Sequence, residues 1–270
     1  MVGFKPSEGR IDKAGTVALS RTLDTIGPLA RSLSDCVLLD MALRGAVAPD
    51  ARRTSLRGVR VLAPTNIVLD GAEPAVLDNF EQSLEILHSA GAVVRREPVR
   101  AFDEAMELTA RHGSLTAAEA YHEYRDIVES DEAADMDRRV VHRILGGKRM
   151  SAYDLLALQE GRSRLIAEMK QQMGDGLLVT PTCPITAPEV APLDADDELF
   201  HRINLLTLRN TMLGNILMLC GLALPNGRDR NGLPTSLLVS AGHGEDDKLL
   251  SYGLEIERVL GGVSVQAAAA

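Results

Sequence analysis

Gly58-Val59-Arg60-Val61-Leu62-Ala63, then a run opened by Pro74 and carrying Leu77, Phe80, Leu84 and Leu87, then Gly91 ahead of Ala92-Val93-Val94: this stretch decides the fold class. The two short apolar runs are rich in valine and bounded by turn residues, as buried strands are. Between them the apolar positions recur every three or four residues, the period of one helical face. Proline is tolerated in a first helical turn, where its missing N–H has no partner to lose, and glycine stops a helix by accepting a left-handed backbone. The segment therefore predicts a β-α-β unit. Its crossover favours parallel strands, and parallel strands require helices on both faces of their sheet.

Working outward, residues 1–31 are interrupted by Gly3, Pro6, Gly9, Gly15, Gly27 and Pro28 and read as extended and turn-rich. After Ser32, the residues Leu33, Val37, Leu38 and Met41 share a helical face, and Gly45 follows its end. Residues 102–172 form a helical excursion, broken at Gly113, at the acidic stretch from Glu129 to Asp137 and at Gly146-Gly147. Gly176-Leu177-Leu178-Val179 resumes the sheet, and Pro181, Pro184, Pro188 and Pro192 force an irregular stretch behind it. Residues 199–219 are helical. Leu222-Ala223-Leu224-Pro225 and Leu237-Leu238-Val239 read as an antiparallel pair around a turn, and Asp246 to Leu260 as a closing helix. The expectation is an α/β fold, a mixed, mostly parallel sheet flanked by helices, in one domain over residues 1–262, with 263–270 a disordered tail.

Composition narrows the function. The 270 residues are 45% apolar and carry 29 basic against 38 acidic side chains, a net charge of −9. That balance, with only Arg52, Arg53, Arg57 and Arg60 clustered, argues against a nucleic-acid partner. Aromatics are 3% with no Trp, too few for base-stacking surfaces. No apolar run approaches the roughly 18 residues of a membrane span, and no signal-peptide pattern opens the chain, so the expected compartment is the cytoplasm, without membrane association. Cys36, Cys183 and Cys220 are isolated and expected reduced and mostly buried; six histidines fall in no ligand spacing, so no metal site is expected. Phosphate-loop, dinucleotide and nucleophile-elbow motifs are missing.

The pattern itself is more telling than any spacing. Val2-Gly3-Phe4-Lys5-Pro6-Ser7-Glu8-Gly9-Arg10, followed by Leu23-Asp24-Thr25-Ile26-Gly27-Pro28-Leu29-Ala30-Arg31-Ser32 with Asp35, resembles the segment that follows the active-site loop of amidase-signature enzymes. Ser151-Ala152-Tyr153-Asp154, Arg162, Arg164 and Leu178-Val179-Thr180-Pro181-Thr182 resemble the family's helix and the strand ending in a Pro-Thr turn. Asn215, Pro225, Gly227 and Gly232-Leu233-Pro234 follow its C-terminal pattern. The resemblance covers nearly the whole chain and implies a partial amidase-signature fold. It implies hydrolysis of a carboxamide C–N bond through a serine acyl-enzyme, without metal or organic cofactor. In the family a Lys deprotonates a bridging Ser, which activates a nucleophilic Ser in a Gly/Ser-rich stretch whose N–H groups bind the oxyanion. These positions are expected upstream of Met1, so no catalytic residue is expected in this chain, which is expected to be inactive alone. Lys5 and Lys13 are not expected to replace the base.

What the resemblance implies for this chain is a substrate-binding half. Arg164 aligns with a position that glutamine-handling members use to hold a substrate carboxylate; Arg162 lies on a different side of the same helix, so at most one of the two faces the pocket. Tyr121 and His122 sit on the excursion, a wall of the family's substrate funnel. Asp24, Arg31 and Asn215 belong to the structural motif, Asp24 being expected to tie Arg10, Arg31 or a loop N–H. The family's Asn-x-x-Gly-x-Pro reads here Asn215-Ile216-Leu217-Met218-Leu219-Cys220, which puts the tight turn it forms in question. Expected partners are a small amide substrate, a separately encoded N-terminal half and further copies of the chain, because Val2-Gly3-Phe4 and the two C-terminal strands are expected to expose apolar surface. The alternatives are a non-catalytic pseudo-amidase or partner subunit, or the product of a truncated gene.

Overall fold

The computed structural model describes the backbone of residues 1–267 and the side chains of 1–261. The expected tail, 263–270, falls at and beyond that limit, and its last three residues lie outside the described residues. The β-α-β unit is present as β3 (Arg60–Pro64), α2 (Pro74–Ser89) and β4 (Val93–Glu97), with Pro74 in the first turn of α2 and Gly91 at φ +96. β3 and β4 are parallel, Val61 opposite Val94. Around them lie β1 (Val2–Lys5), β2 (Leu29–Ala30), α1 (Leu33–Leu43), β5 (Leu177–Pro181), β6 (Cys220–Arg228), β7 (Pro234–Ala241) and α9 (Asp246–Ala267). The excursion comprises α3 (Arg100–His112), α4 (Leu115–Val128), α5 (Arg138–Lys148) and α6 (Ala152–Met173); α7 (Val190–Ala195) and α8 (Asp197–Ile216) precede the final hairpin. Among the described residues no helix is long and apolar enough to cross a membrane.

The described strands form one sheet in the order β2-β1-β6-β7-β5-β3-β4. The sheet is mixed and helix-flanked as expected, but its parallel part is confined to β4-β3-β5 and every other pairing is antiparallel. The expectation of a mostly parallel sheet is corrected by two features. The β6–β7 hairpin, closed where Leu233 N donates to Asp229 Oδ1 (2.8 Å), inserts two strands antiparallel to β5 and to β1. β1, from the opposite end of the sequence, then adds beyond it, and Lys5 Nζ donates to Leu219 O (3.0 Å) at the entry to β6.

One face of the sheet is closed by α1, α2 and α9 over Val2, Phe4, Leu222, Leu224, Leu237 and Val239, each at most 3% exposed. α3, α6 and α8 cover Leu62 and Leu178 of β3 and β5 on the other face. The expected exposure of Val2, Phe4 and the inner hairpin residues is therefore wrong in phase: these are core, and the alternate residues Gly3, Lys5, Gly221, Ala223, Leu238 and Ser240 face an open depression. Arg10 fixes the exit of β1. Its guanidinium binds Asp40 of α1 through two bonds (2.9 and 2.8 Å) and Asp247 of α9 (2.6 Å), so a planar donor fork joins three elements. The Asp40 side chain is 2% exposed, which makes that pairing mandatory for its charge.

Candidate active site

The C-terminus of α8 organises the candidate site. Asn210 in its last turns is buried and donates to Val68 O (3.0 Å) and Pro181 O (2.8 Å), pinning the end of β5 and the turn after β3. Arg209 reaches Asp70 O (2.7 Å) beside it. Beyond Ile216 the chain turns sharply into β6 through Met218, whose φ is +57, a left-handed conformation that favours glycine. The tight turn that the sequence put in question is thus present, with Met218 at the position for which the resemblance implies glycine.

A narrow cavity of about 50 Å³ lies where α3, α4, α6 and α8 meet, walled by Leu108, Leu158, Met212 and Ile216 and closed by Leu23 of the N-terminal loop. Arg162 of α6 enters it. Its Nε donates to Ile216 O (2.7 Å), satisfying an end carbonyl of α8, while its Nη2 is buried with no hydrogen-bond partner among the described residues. Burial lowers the pKa of this guanidinium, with Glu119 and Glu8 pulling the other way, yet an arginine stays protonated. The result is a cation with a free donor in an apolar recess. Ser114, Thr116 and Asn215 add polar groups to its lining.

The other sequence candidates fall into place around it. Arg164 does not reach the cavity: it is exposed and paired with Glu104 (2.9 Å) and Glu168 (2.7 Å), so Arg162 is the residue of the pair that faces inward. The phase of α6 explains why. Leu158, Arg162, Leu165 and Met169 recur at helical spacing on the buried face, whereas Glu160, Arg164 and Glu168 recur on the solvent face. That signal was in the sequence. Asn215 lines the cavity. Asp24 holds the covering loop, its carboxylate accepting from Leu19 N (2.8 Å) and Ser20 N (2.9 Å), so of the expected ties it makes the loop N–H one, and Arg10 is engaged elsewhere. Arg31 is exposed. Tyr121 hydrogen-bonds Glu129 (2.5 Å), a contact that raises its pKa, and His122 is exposed; neither lines the cavity. Lys13 binds Glu8 and the carbonyls of Arg21 and Asp24, and Lys5 the carbonyls of Pro6 and Leu219, so both lysines act as loop ties. Burial lowers the pKa of Lys5. Cys36 and Cys220 are buried and Cys183 half-buried, all as free thiols.

The family model described as Amidase matches residues 1–250. The chain belongs to the amidase family. Among curated amidase-family relatives it is 31% identical to a 2-amino-5-chloromuconic acid deaminase of Comamonas testosteroni, over 96% of this chain and 56% of that one. It is 29% identical to a subunit of the glutamyl-tRNA(Gln) amidotransferase of Corynebacterium diphtheriae, over 95% and 59%. A solved amidase superposes with a TM-score of 0.80 at 25% identity, covering 95% of this chain and 58% of that structure. The chain thus spans somewhat under three fifths of the length of these three relatives.

Proposed function

We propose that residues 1–270 carry the substrate-binding side of an amidase-family hydrolase of carboxamide C–N bonds, and that the substrate bears a carboxylate seated on Arg162. The observation that carries this is the buried Nη2 of Arg162, with no hydrogen-bond partner among the described residues, in an apolar recess with room for little more than a carboxylate head. A half-buried guanidinium whose free donor has no hydrogen-bond acceptor is costly, Glu119 and Glu8 acting on it only at a distance, and a planar anion that accepts from its free edge offsets that cost. The Comamonas testosteroni relative is named for an acid, 2-amino-5-chloromuconic acid, in keeping with this reading. The nucleophilic and bridging serines, their activating lysine and the oxyanion donors come, in this proposal, from residues outside 1–270. The serine attacks the amide carbonyl, the amine leaves with a proton, and water releases the acid; residues 1–270 orient the acyl part. The chemistry uses no metal or organic cofactor. We place it in the cytoplasm, in keeping with its three free thiols. A non-catalytic subunit is the second reading, favoured by Met218 and Cys220 standing where the family has Gly and Pro.

Binding and turnover test the proposal separately. NMR titration of the chain with propionate, against propionamide as the neutral control, is expected to shift resonances around Arg162 only for the anion, and Arg162→Met to abolish that shift. Equal binding by both ligands, or anion binding that survives Arg162→Met, sinks the carboxylate reading. Residues 1–270 alone are expected to release no ammonia from simple amides, and steady turnover by the purified chain would place the nucleophile within it.

A further inference from the structure

We infer that Asn231 is a self-modifying site: the backbone nitrogen of Gly232 displaces its side-chain amide as ammonia, leaving an aspartyl or isoaspartyl residue at the tip of the β6–β7 hairpin. The second Asn-Gly pair of the same hairpin, Asn226-Gly227, is held intact by the fold. The inference does not depend on which reaction the protein catalyses. It starts from the sequence, which carries these two Asn-Gly pairs five residues apart. Glycine lacks the Cβ that would hinder attack by its own nitrogen, so both pairs are chemically disposed to react and geometry must choose between them.

The geometry differs at every point that matters. Asn226 Nδ2 donates to Asn79 O (3.1 Å) and Ser83 Oγ (3.0 Å), and its Oδ1 accepts from the Thr235 hydroxyl (2.8 Å). Asn79 also packs onto Gly227 so closely that a Cβ there would stand 2.4 Å from Asn79 Cγ. The Asn226 amide therefore cannot swing toward its neighbour's nitrogen without breaking three hydrogen bonds. Asn231 lies exposed between the exposed Arg230 and Gly232. Its Nδ2 approaches Asp229 Oδ2 only at 3.5 Å, the limit of a hydrogen bond, and a Cβ on Gly232 would meet nothing within 4 Å. The Gly232 N–H donates to Asp229 O (3.0 Å), a turn bond at an exposed hairpin tip that opens without the rest of the sheet.

The step balances with water alone. Gly232 N gives its proton to solvent and bonds to Asn231 Cγ; the Cγ–Nδ2 bond breaks, and the nitrogen takes a proton and leaves as ammonia. Water then opens the cyclic imide, giving aspartate if it cleaves the new bond at Cγ and isoaspartate if it cleaves the original main-chain bond. Either product disturbs Asp229, whose Oδ1 accepts from Asn231 N (2.8 Å) and Leu233 N (2.8 Å) to close the hairpin. Aspartate places a second carboxylate beside it, and isoaspartate lengthens the main chain inside the turn.

The test ages the intact chain in mildly alkaline buffer and follows both pairs by peptide mapping with mass spectrometry. Conversion at Asn231 is expected to be at least about tenfold faster than at Asn226, with at most one equivalent of ammonia released per chain from that site. Asn231→Gln, which would have to form a larger ring, is expected to remove the conversion and leave folding unchanged. In the aged chain the Leu233 amide is expected to exchange faster with solvent, and that of Val239 to stay as slow as before. In urea, where the bonds around Asn226 are gone, the two pairs are expected to react at similar rates. Equal rates in the folded chain, or an Asn231 that converts only in urea, overturn the inference. An Asn226 that stays slow in urea overturns the part assigned to the fold.

Discussion

Met218 holds a backbone conformation that a side-chained residue adopts at a cost of about 1–2 kcal/mol, and it does so between Asn215 and Ile216, which line the Arg162 cavity, and Leu219, which lines the open sheet face. The turn is over-determined by its surroundings: Leu219 N donates to Gly214 O (2.8 Å), Met218 N to Asn215 O (3.1 Å), and Arg162 ties down Ile216 O. Met218→Gly is expected to relieve the strain, less the roughly 0.5–1 kcal/mol that glycine loses in unfolded-state entropy. The net gain is about 0.5–1 kcal/mol, read as a higher urea midpoint. A loss of stability would show that packing of the half-buried methionine side chain outweighs its backbone strain. The same residue shows where sequence reading stops. A methionine at this position signals a changed turn, because propensity is local, whereas the turn is enforced by partners on α6 and at the end of α8. The inward-facing Arg162, by contrast, is legible once the phase of Leu158, Leu165 and Met169 is extended through it.

At the scale of elements, α6 is anchored at both of its functional points. Ser151 caps it, accepting from Asp154 N (3.2 Å), while the Asp154 carboxylate accepts from Ser151 N (3.0 Å), a reciprocal capping box. Asp154 also meets His112 Nδ1 (2.9 Å) at the end of α3, so one carboxylate joins the two helices that flank the cavity. Hydrogen bonds from the Ser151 hydroxyl, then from His112 and from Ser151 N, hold the Asp154 pKa down at about 2. Because the folded value lies below the ordinary carboxylate value of about 3.9, the stabilisation is present above that value and is lost as pH falls toward 2. Asp154→Asn is therefore expected to lower the urea midpoint at pH 6, and the gap from the unmodified protein to narrow as pH drops below about 4. A gap that stays constant from about pH 6 to pH 3 would remove the carboxylate from this role. Ser151–Asp154 entered only through the resemblance, although its Ser-x-x-Asp spacing is that of a capping box, whereas Pro74 opening α2 and Gly91 closing it were legible from residues alone. The place of β1 was not, since its pairing with β6 joins Gly3 to Ala223 and no local pattern specifies a partner so distant.

The whole molecule divides its burial unequally, and that division bears on how a substrate enters. Two large cores sandwich the sheet, one under α1, α2 and α9 and one under α3, α6 and α8, whereas α4 and α5 hold a separate small cluster with Ala120, Val128 and Ile144 at its centre. The arm that α4 and α5 form is tied back by polar contacts: Glu119 to Ser20 and Thr22, Tyr124 to Ala18 O, Arg138 to Asp197 (2.6 Å) and Arg139 to Asp194 (3.4 Å). Exposed ion pairs contribute roughly 0–1 kcal/mol each, far less than a buried apolar layer, so the arm should open without the sheet. Its base, Ser114 to Thr116, lines the Arg162 cavity, and the Ser20–Thr22 loop it holds carries Leu23, which closes that cavity. Opening of the arm therefore uncovers Arg162. Native-state hydrogen exchange is expected to show amides of α4 and α5 exchanging through a low-energy opening, while those of β5, β6 and β7 exchange only on global unfolding. Glu119→Ala, which releases the loop, should speed exchange in the arm and leave the strands unchanged. Equal protection in α5 and β7 would mean that the arm is part of the main cooperative unit, and access to Arg162 would then need another route.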